Sequence, residues 1–240
     1  MIRTRRDGSI LRIAFARAEA RNAIDAAGWD SFADAIDQAA GGDAAIILLA
    51  SDVPGVFSAG ADLSMLAALS DDPDARVAFR QRMARAVEGL AALPMPVVAA
   101  VDGPCYGASV ALVLAADIVV AGASASFAVT PAKLGIGYPA ADVARLVDRI
   151  GRGQASRMLF TAAPVDADEA VRIGLADMRA DSAQAAAMAM ADTIAGNAAG
   201  AVRLLKRTIA GGEDGDAGFD AAFAGTDFAT RLAAFRARAR

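Results

Sequence analysis

Three short runs of branched and small apolar residues constrain this chain most: Ala45–Leu49, Val97–Val101 and Ile118–Ala121. None carries a polar residue at any position, so neither alternating face is suited to water. That is the pattern of a strand covered on both sides, as in a parallel sheet. Helical patterns separate the runs. Ile24–Ala39 places Trp29, Phe32, Ala33 and Ile36 at helical spacing and ends at Gly41-Gly42. Ala75–Leu93 follows a polar break at Ser70–Asp74 and stops before Pro94 and Pro96. A third helix runs from the turn Asp102–Gly107 to about Ala115. With an earlier strand at Ile10–Phe15, strand and helix alternate, which predicts an α/β class with parallel pairing.

The pattern changes at Asp142. Asp142–Ile150, Arg152–Phe160, Asp166–Ile173, Ala183–Ile194, Asn197–Ile209 and Phe219–Arg236 read as helices, with one short strand near Ala176–Arg179. Residues 1–195 therefore read as an α/β core and 196–240 as a helical C-terminal region. Gly211–Gly218 reads as the most flexible segment.

Composition narrows the chemistry. The 240 residues are 56% apolar, enough for a large core. No histidine is present, which excludes Ser-His-Asp and Cys-His catalysis and every histidine-ligated metal site. Cys105 is the single cysteine, so neither a disulfide within the chain nor a cysteine metal cluster is expected. A net charge of −4 argues against a nucleic-acid partner. Val110–Val120 is interrupted by Asp117 and too short to span a bilayer, and the charged Met1–Arg6 leads into a polar Asp-Gly-Ser rather than an apolar run. The expectation is a soluble, cytoplasmic protein without a membrane or metal partner.

Two segments share one design, a buried strand, a turn of small residues and then a helix: Phe57–Leu63 and Asp102–Ser109. Small side chains at a helix start leave backbone N–H groups open, and the helix dipole favours negative charge there. Two such turns face to face would make a two-donor oxyanion hole. Either one alone is also an ordinary tight connection.

In these segments the chain resembles the crotonase (enoyl-CoA hydratase/isomerase) superfamily. Four pieces carry the resemblance, in order: Ala18–Asp25 with its Asn-Ala-Ile, with Ala18 in place of the family's proline; Phe57-Ser-Ala-Gly-Ala-Asp-Leu63; Pro96–Gly103 continuing through Gly107 to Asp117-Ile118; and Phe160-Thr-Ala with Ala167, Ala170 and Gly174-Leu175. The resemblance implies a spiral of ββα units with a helical C-terminal region that packs on neighbouring subunits, in homotrimers or hexamers. It implies an acyl-CoA thioester as substrate, with no separate cofactor. The thioester carbonyl would sit between the N–H groups of Ala61 and Ala108, the second usually a glycine in the family. Ala20, Arg21, Ala23, Ala59, Asp62 and Leu63 fall where the family holds adenine and pantetheine, and Arg17 is a candidate phosphate contact. The closing segment Asp227–Phe235, with Arg236, Arg238 and Arg240, is similar to the family's last helix. Phe235 and Lys206 are implied adenine or phosphate contacts.

The departures matter equally. The two glutamates with which family hydratases add water align with Ala111 and Pro131, neither of which moves a proton. Loss of one general acid or base costs about 10²–10⁴ in rate. The segment Phe127–Tyr138, with Thr130-Pro131, Leu134-Gly135 and Tyr138, is similar to the methylmalonyl-CoA decarboxylase branch, whose equivalent tyrosine lies near the substrate carboxylate. That branch also has a glutamate where Ala111 stands. Asp142 is the nearest remaining carboxylate and reads either as the cap of the following helix or as a displaced acid/base. Ser109, Thr130 and Cys105 read as packing or capping residues, since no base is at hand to activate them. Three functions stay open: decarboxylation of a malonyl-type CoA, hydration or isomerisation through a displaced carboxylate, and acyl-CoA binding without chemistry.

Overall fold

A computed structural model describes residues 1–212 and 214–238. The apolar runs form the middle of one twisted sheet. β1 (Ile2–Asp7) and β2 (Ile10–Phe15) make an antiparallel hairpin; β3 (Ile46–Ser51), β4 (Val97–Val101), β6 (Ile118–Gly122) and β9 (Met178–Ala180) follow in parallel, in the order β1-β2-β3-β4-β6-β9. A smaller sheet holds β5 (Pro104–Tyr106), β7 (Ser126–Ala128) and β8 (Val165–Asp166). β4 and β5 are consecutive in the chain, as are β6 and β7, yet each pair is divided between the sheets and followed by a helix. These helices are α4 (Ala108–Leu114) and α5 (Ala140–Thr161). The chain thus winds as repeating ββα turns.

The two-sided apolar pattern has a direct structural counterpart. Ile47, Leu49, Val97, Ala99, Val101 and Val119 face a core closed by α1 (Ala26–Ala40), α3 (Pro73–Ala91) and α4. The alternate residues Ile46, Leu48, Ala50, Val98, Ala100 and Val120 face α7 (Ala183–Ala195) through Ala183, Ala187 and Ala191. Alanine at i, i+4 and i+8 lets α7 lie close on the sheet. Phe15 anchors the first core, stacked on Phe32 at 5.7 Å and edge-on to Phe57 at 5.5 Å.

Several expectations need correction. β1 carried no apolar signal because it is an edge strand whose residues after Ile2 are all exposed. The two helices expected on either side of Gly151 are present: α5 breaks there, where Gly151 takes the non-helical φ +74° and ψ 156°. That helix starts at Ala140 behind Pro139, so Asp142 lies inside its first turn and is not its cap. Phe219–Arg236 is broken into α9 (Gly215–Ala222) and α10 (Thr226–Arg238). Half of the glycine-rich segment expected to be flexible is therefore helix. Gly218 lets α9 lie close to the Leu204 side chain of α8 (Ala199–Ile209).

Residues 196–238 form an arm rather than core: among the described residues none beyond Ala191 is buried. The arm is moored by Arg203 to the Ala44 carbonyl at 3.0 Å and by Lys206 to the Met95 carbonyl at 3.0 Å and Asp117 at 2.7 Å. Arg240 lies outside the described residues. No helix among those described is long and apolar enough to cross a membrane.

Candidate active site

The two small-residue turns meet. Isolated parallel bridges pair Ile24 with Ala61 and Ser58 with Cys105, so the loop after β3 is stitched to the Asn22 turn on one side and to β5 on the other. Asn22 is fully buried in the left-handed region, φ +57°, which asparagine tolerates better than most residues. Its Nδ2 donates to Ser51 Oγ at 2.8 Å and to the Phe57 carbonyl at 2.9 Å, while its Oδ1 accepts from Arg17 N–H at 2.8 Å. Ser58 Oγ donates to the Asn22 carbonyl at 2.8 Å and accepts from Gly60 N–H at 3.1 Å. Gly60 has φ +89°; a Cβ there would fall inside contact distance of the Tyr106 carbonyl and 3.1 Å from Ala108 N. Only glycine lets the two turns come this close.

On the other side, Gly107 precedes α4 with φ +57° and donates its N–H to the Ala128 carbonyl at 2.8 Å. Ser109 Oγ, buried, sits 2.8 Å from the Tyr106 carbonyl and 3.2 Å from that of Ser58, joining the two turns. Cys105 Sγ lies 3.4 Å from Ser109 Oγ, and burial pushes its thiol up to about 12. It is an inert packing group. The N–H groups of Ala61 and Ala108 have no acceptor among the described residues, and both residues line a mainly apolar cleft of about 770 Å³. Two open donors in an apolar cleft are suited to an oxyanion.

Tyr138 lines the cleft. Its hydroxyl donates to the Gly107 carbonyl at 3.1 Å and lies against the Ala111 backbone. Burial first, then the neighbouring Asp142 and Cys105, hold the phenol well above its ordinary value, so it stays protonated. Asp142 is only 3% exposed and does not line the cleft. Its Oδ1 accepts from Arg145 at 3.3 Å, and Arg145 reaches Glu88 at 3.0 Å. Burial pushes the Asp142 carboxyl up to about 6, against the pull of Arg145 and with the help of Glu88.

The enoyl-CoA hydratase/isomerase family model matches residues 5–218. The chain belongs to this family. "Probable enoyl-CoA hydratase echA6" of Mycobacterium leprae is 31% identical over 171 residues, 70% of this chain and 66% of that one. The human mitochondrial methylglutaconyl-CoA hydratase is 36% identical over 129 residues, 54% of this chain and 38% of that one. The chain thus spans a little under two thirds of the first of these relatives and well under half of the second. A solved enoyl-CoA hydratase/isomerase family protein from Hyphomonas neptunium superimposes with a TM-score of 0.93 at 34% identity, covering 99% of this chain and 95% of that one. The α/β spiral with a helical C-terminal region is therefore a crotonase fold.

Within this hydratase/isomerase fold the expected site residues divide. Arg17, Ala20, Arg21, Ala23, Ala59, Ala61, Asp62, Leu63, Ala108 and Tyr138 all line the one cleft. Arg17 is less available to a phosphate than expected. It donates to the Ala23 carbonyl at 2.9 Å and pairs with Asp62 at 2.8 Å and Asp25 at 3.1 Å. Asp62 accepts from Ser64 N–H at 2.9 Å as the cap of α2 (Leu63–Ala67); that bond, then Arg17, holds its carboxyl below the usual range. Arg21, exposed at φ +50°, makes no ion pair among the described residues.

Lys206 and Phe235 do not join the cleft. Lys206 is bound to Asp117, which also accepts from Val97 N–H at 2.7 Å. Phe235, 77% exposed, lines an apolar hollow among α8, α9 and α10. Ala111 is fully buried, and Pro131 opens a 3-10 turn on the cleft wall.

Sequence reasoning missed the roles of Asn22 and Ser58, whose buried hydrogen bonds hold the first turn. It also missed Phe79 and Met83, which wall the cleft from α3. Asn22 lies within the quoted Asn-Ala-Ile motif, and a lone amide just ahead of an apolar Ala-Ile pair was the available signal.

Proposed function

We propose that the protein binds an acyl-CoA thioester in this cleft and transforms it through an enolate whose oxygen lies between the N–H groups of Ala61 and Ala108. The observation that carries the reading is the pair of donors without acceptors in a mainly apolar cleft. Such donors need no reorganisation as charge develops, and low polarity around them strengthens the interaction. Ala20, Ala23, Ala59, Asp62 and Leu63 would border adenine and pantetheine. Arg21 rather than Arg17 would meet a phosphate.

Decarboxylation of a malonyl-type thioester is the concrete form. The bond from the α-carbon to the carboxylate breaks, and its electron pair moves onto the thioester carbonyl to form the enolate. Carbon dioxide leaves, and the α-carbon takes a proton from the Tyr138 hydroxyl, which recovers it from water. Hydration needs a group that shuttles a proton to and from water, and neither Ala111 nor Pro131 provides one. A second reading draws on Asp142: its raised carboxyl and its charge on Tyr138 would let it act as a displaced acid/base through that phenol.

The test is mass spectrometry of products from malonyl-, methylmalonyl-, crotonyl- and 3-enoyl-CoA. Release of carbon dioxide, falling about 10²-fold in Tyr138→Phe, is the expected result. Unchanged malonyl-type esters would remove the decarboxylase reading. Water added to crotonyl-CoA and lost in Asp142→Asn would establish the second. Binding of every ester without turnover would make this an acyl-CoA-binding protein.

We further propose a homotrimer or a hexamer, with the arm as its interface. Ile209 is 87% exposed and the phenylalanines of α9 and α10 are bare, which an isolated chain in water does not favour. Phe235 would then serve a neighbouring subunit. Light scattering that shows a monomer would overturn this.

A further inference from the structure

The chain holds two lysines, Lys133 and Lys206, and the fold places them oppositely. Lys206 is fully engaged. Its Nζ lies 2.7 Å from an Asp117 carboxylate oxygen and 3.0 Å from the Met95 carbonyl. An ammonium held between two acceptors is not a nucleophile. Lys133 is exposed, lines the cleft that holds Ala61 and Ala108, and makes no side-chain hydrogen bond or ion pair among the described residues. Among those residues it is the one primary amine on the cleft wall. Its backbone sits close to the open N–H groups. Lys133 belongs to the 3-10 turn Pro131–Leu134, and its N–H donates to the Thr130 carbonyl at 3.0 Å. Thr130 packs on Gly107, with its Oγ1 3.3 Å from where a Cβ on that glycine would stand, and Gly107 immediately precedes Ala108. The turn and the head of α4 therefore share one wall. At ordinary bond lengths an extended lysine carries its amine roughly 6 Å beyond its Cα.

We propose that Lys133 is a self-acylation site, whose amine takes the acyl group from a thioester bound in the cleft. The proposal rests on the acyl-CoA reading above. The unprotonated amine attacks the thioester carbon. A C–N bond forms, and the carbonyl electron pair moves onto the oxygen between the N–H groups of Ala61 and Ala108. The tetrahedral intermediate then collapses and the C–S bond breaks. The CoA thiolate leaves with the electron pair of that bond and takes up the proton lost by the nitrogen. Nothing is oxidised or reduced; the products are an amide on Lys133 and free CoA thiol. Donors aimed at a developing enolate oxygen serve this oxyanion as well. The amide carries no charge and tethers the acyl group inside the cleft. Each chain thus reacts once and afterwards excludes further thioester, which makes the modification an inhibitory one.

The experiment is intact-mass and peptide mass spectrometry of the full chain incubated with acetyl-CoA, an ester that can neither lose carbon dioxide nor add water. Binding of CoA is measured in parallel by titration calorimetry. The expected result is one acetyl group per chain, on Lys133, formed about 10²-fold faster than on Lys206. The rate should saturate with acetyl-CoA and fall when excess CoA competes for the cleft. Ala108→Pro should slow the labelling about 10²-fold. Lys133→Arg keeps the exposed charge, so folding is not at stake, and should leave no fast label on the chain. Equal labelling of the two lysines, or labelling that is linear in acetyl-CoA and indifferent to CoA, would make this a reaction of free solution and overturn the proposal. An undiminished rate in Ala108→Pro would overturn it too. Binding of CoA with no label on Lys133 would overturn it and leave the acyl-CoA reading standing. No binding of CoA would overturn that reading itself.

Discussion

The two open N–H groups proposed as donors come from regions built on opposite principles. Ala61 sits in a loop fixed by buried polar side chains, with Asn22 and Ser58 making the bonds that secondary structure would otherwise supply. Ala108 sits at the head of α4, a helix whose residues are all buried and which is held by apolar packing. The loop depends on hydrogen bonds whose loss leaves orphaned buried partners; the helix depends on shape. One site can therefore be broken in two distinguishable ways, through polar satisfaction on one side and through backbone geometry on the other.

Gly60→Ala attacks both halves at once and should have the largest effect. The added methyl meets the Tyr106 carbonyl at a left-handed φ, so the turns must separate. Expected are a destabilisation of about 4 kcal/mol and loss of turnover, read by denaturant unfolding and by product formation. Ala108→Pro separates function from stability. Proline is tolerated at the first position of a helix, so the fold should survive while the donor disappears. Turnover should drop roughly 10²–10³-fold with thermal stability nearly unchanged; full activity in this variant would exclude Ala108 as an oxyanion donor.

Asn22→Ala probes the polar side. Ser51 Oγ and the Phe57 carbonyl lose their donor and Arg17 N–H its acceptor, at an expected cost of about 2–4 kcal/mol by urea unfolding. A loss below half a kilocalorie would mean that the loop is held by something else. Asp142→Asn is a smaller and pH-dependent change. The folded carboxyl, at about 6, lies above its usual value of 3.8, so the folded state binds the proton more tightly than the unfolded chain. Stability should therefore be greatest below pH 4 as far as this group is concerned, fall as pH rises from about 4 to 6, and stay lower at pH 7 by about 2–3 kcal/mol. The asparagine variant should flatten that slope; an unchanged slope between pH 4 and 6 would contradict the raised carboxyl. Ser109→Ala, joining the halves through one hydroxyl, should cost about 1 kcal/mol, the smallest of the set.

How legible the molecule was follows the same division. The parallel strands could be read because both faces are buried, α1 because its apolar positions recur at helical spacing, and α3 because a polar break and two prolines bound it. β1 could not, since an edge strand of charged residues has no burial to advertise. The mouth of the cleft was readable only through the family resemblance, whose motifs cover Ala20–Ala23 and Ala59–Leu63 as contiguous stretches. The apolar wall was not. Phe79, Met83, Leu134 and Ile136 come from different elements, and each alone is an ordinary hydrophobic residue. Asp142 looked like a cap because it preceded an apolar pattern, but Pro139 starts the helix a turn earlier and carries the carboxylate inside.

The amino-acid sequence by itself determined the alternation of buried strands and helices, the small-residue turns that leave N–H groups open, and the absence of a proton-moving side chain at positions 111 and 131. Those are local properties, written in periodicity, side-chain size and residue identity. Only the tertiary structure decided that the two turns face each other, that Asp142 lies behind Tyr138 rather than in the cleft, and that Lys206 is moored to Asp117. Each of these depends on contacts between distant parts of the chain, such as the pairings of Ile24 with Ala61 and of Ser58 with Cys105. No local pattern encodes such a pairing, because it exists only once the sheet has formed and brought its loops to one end.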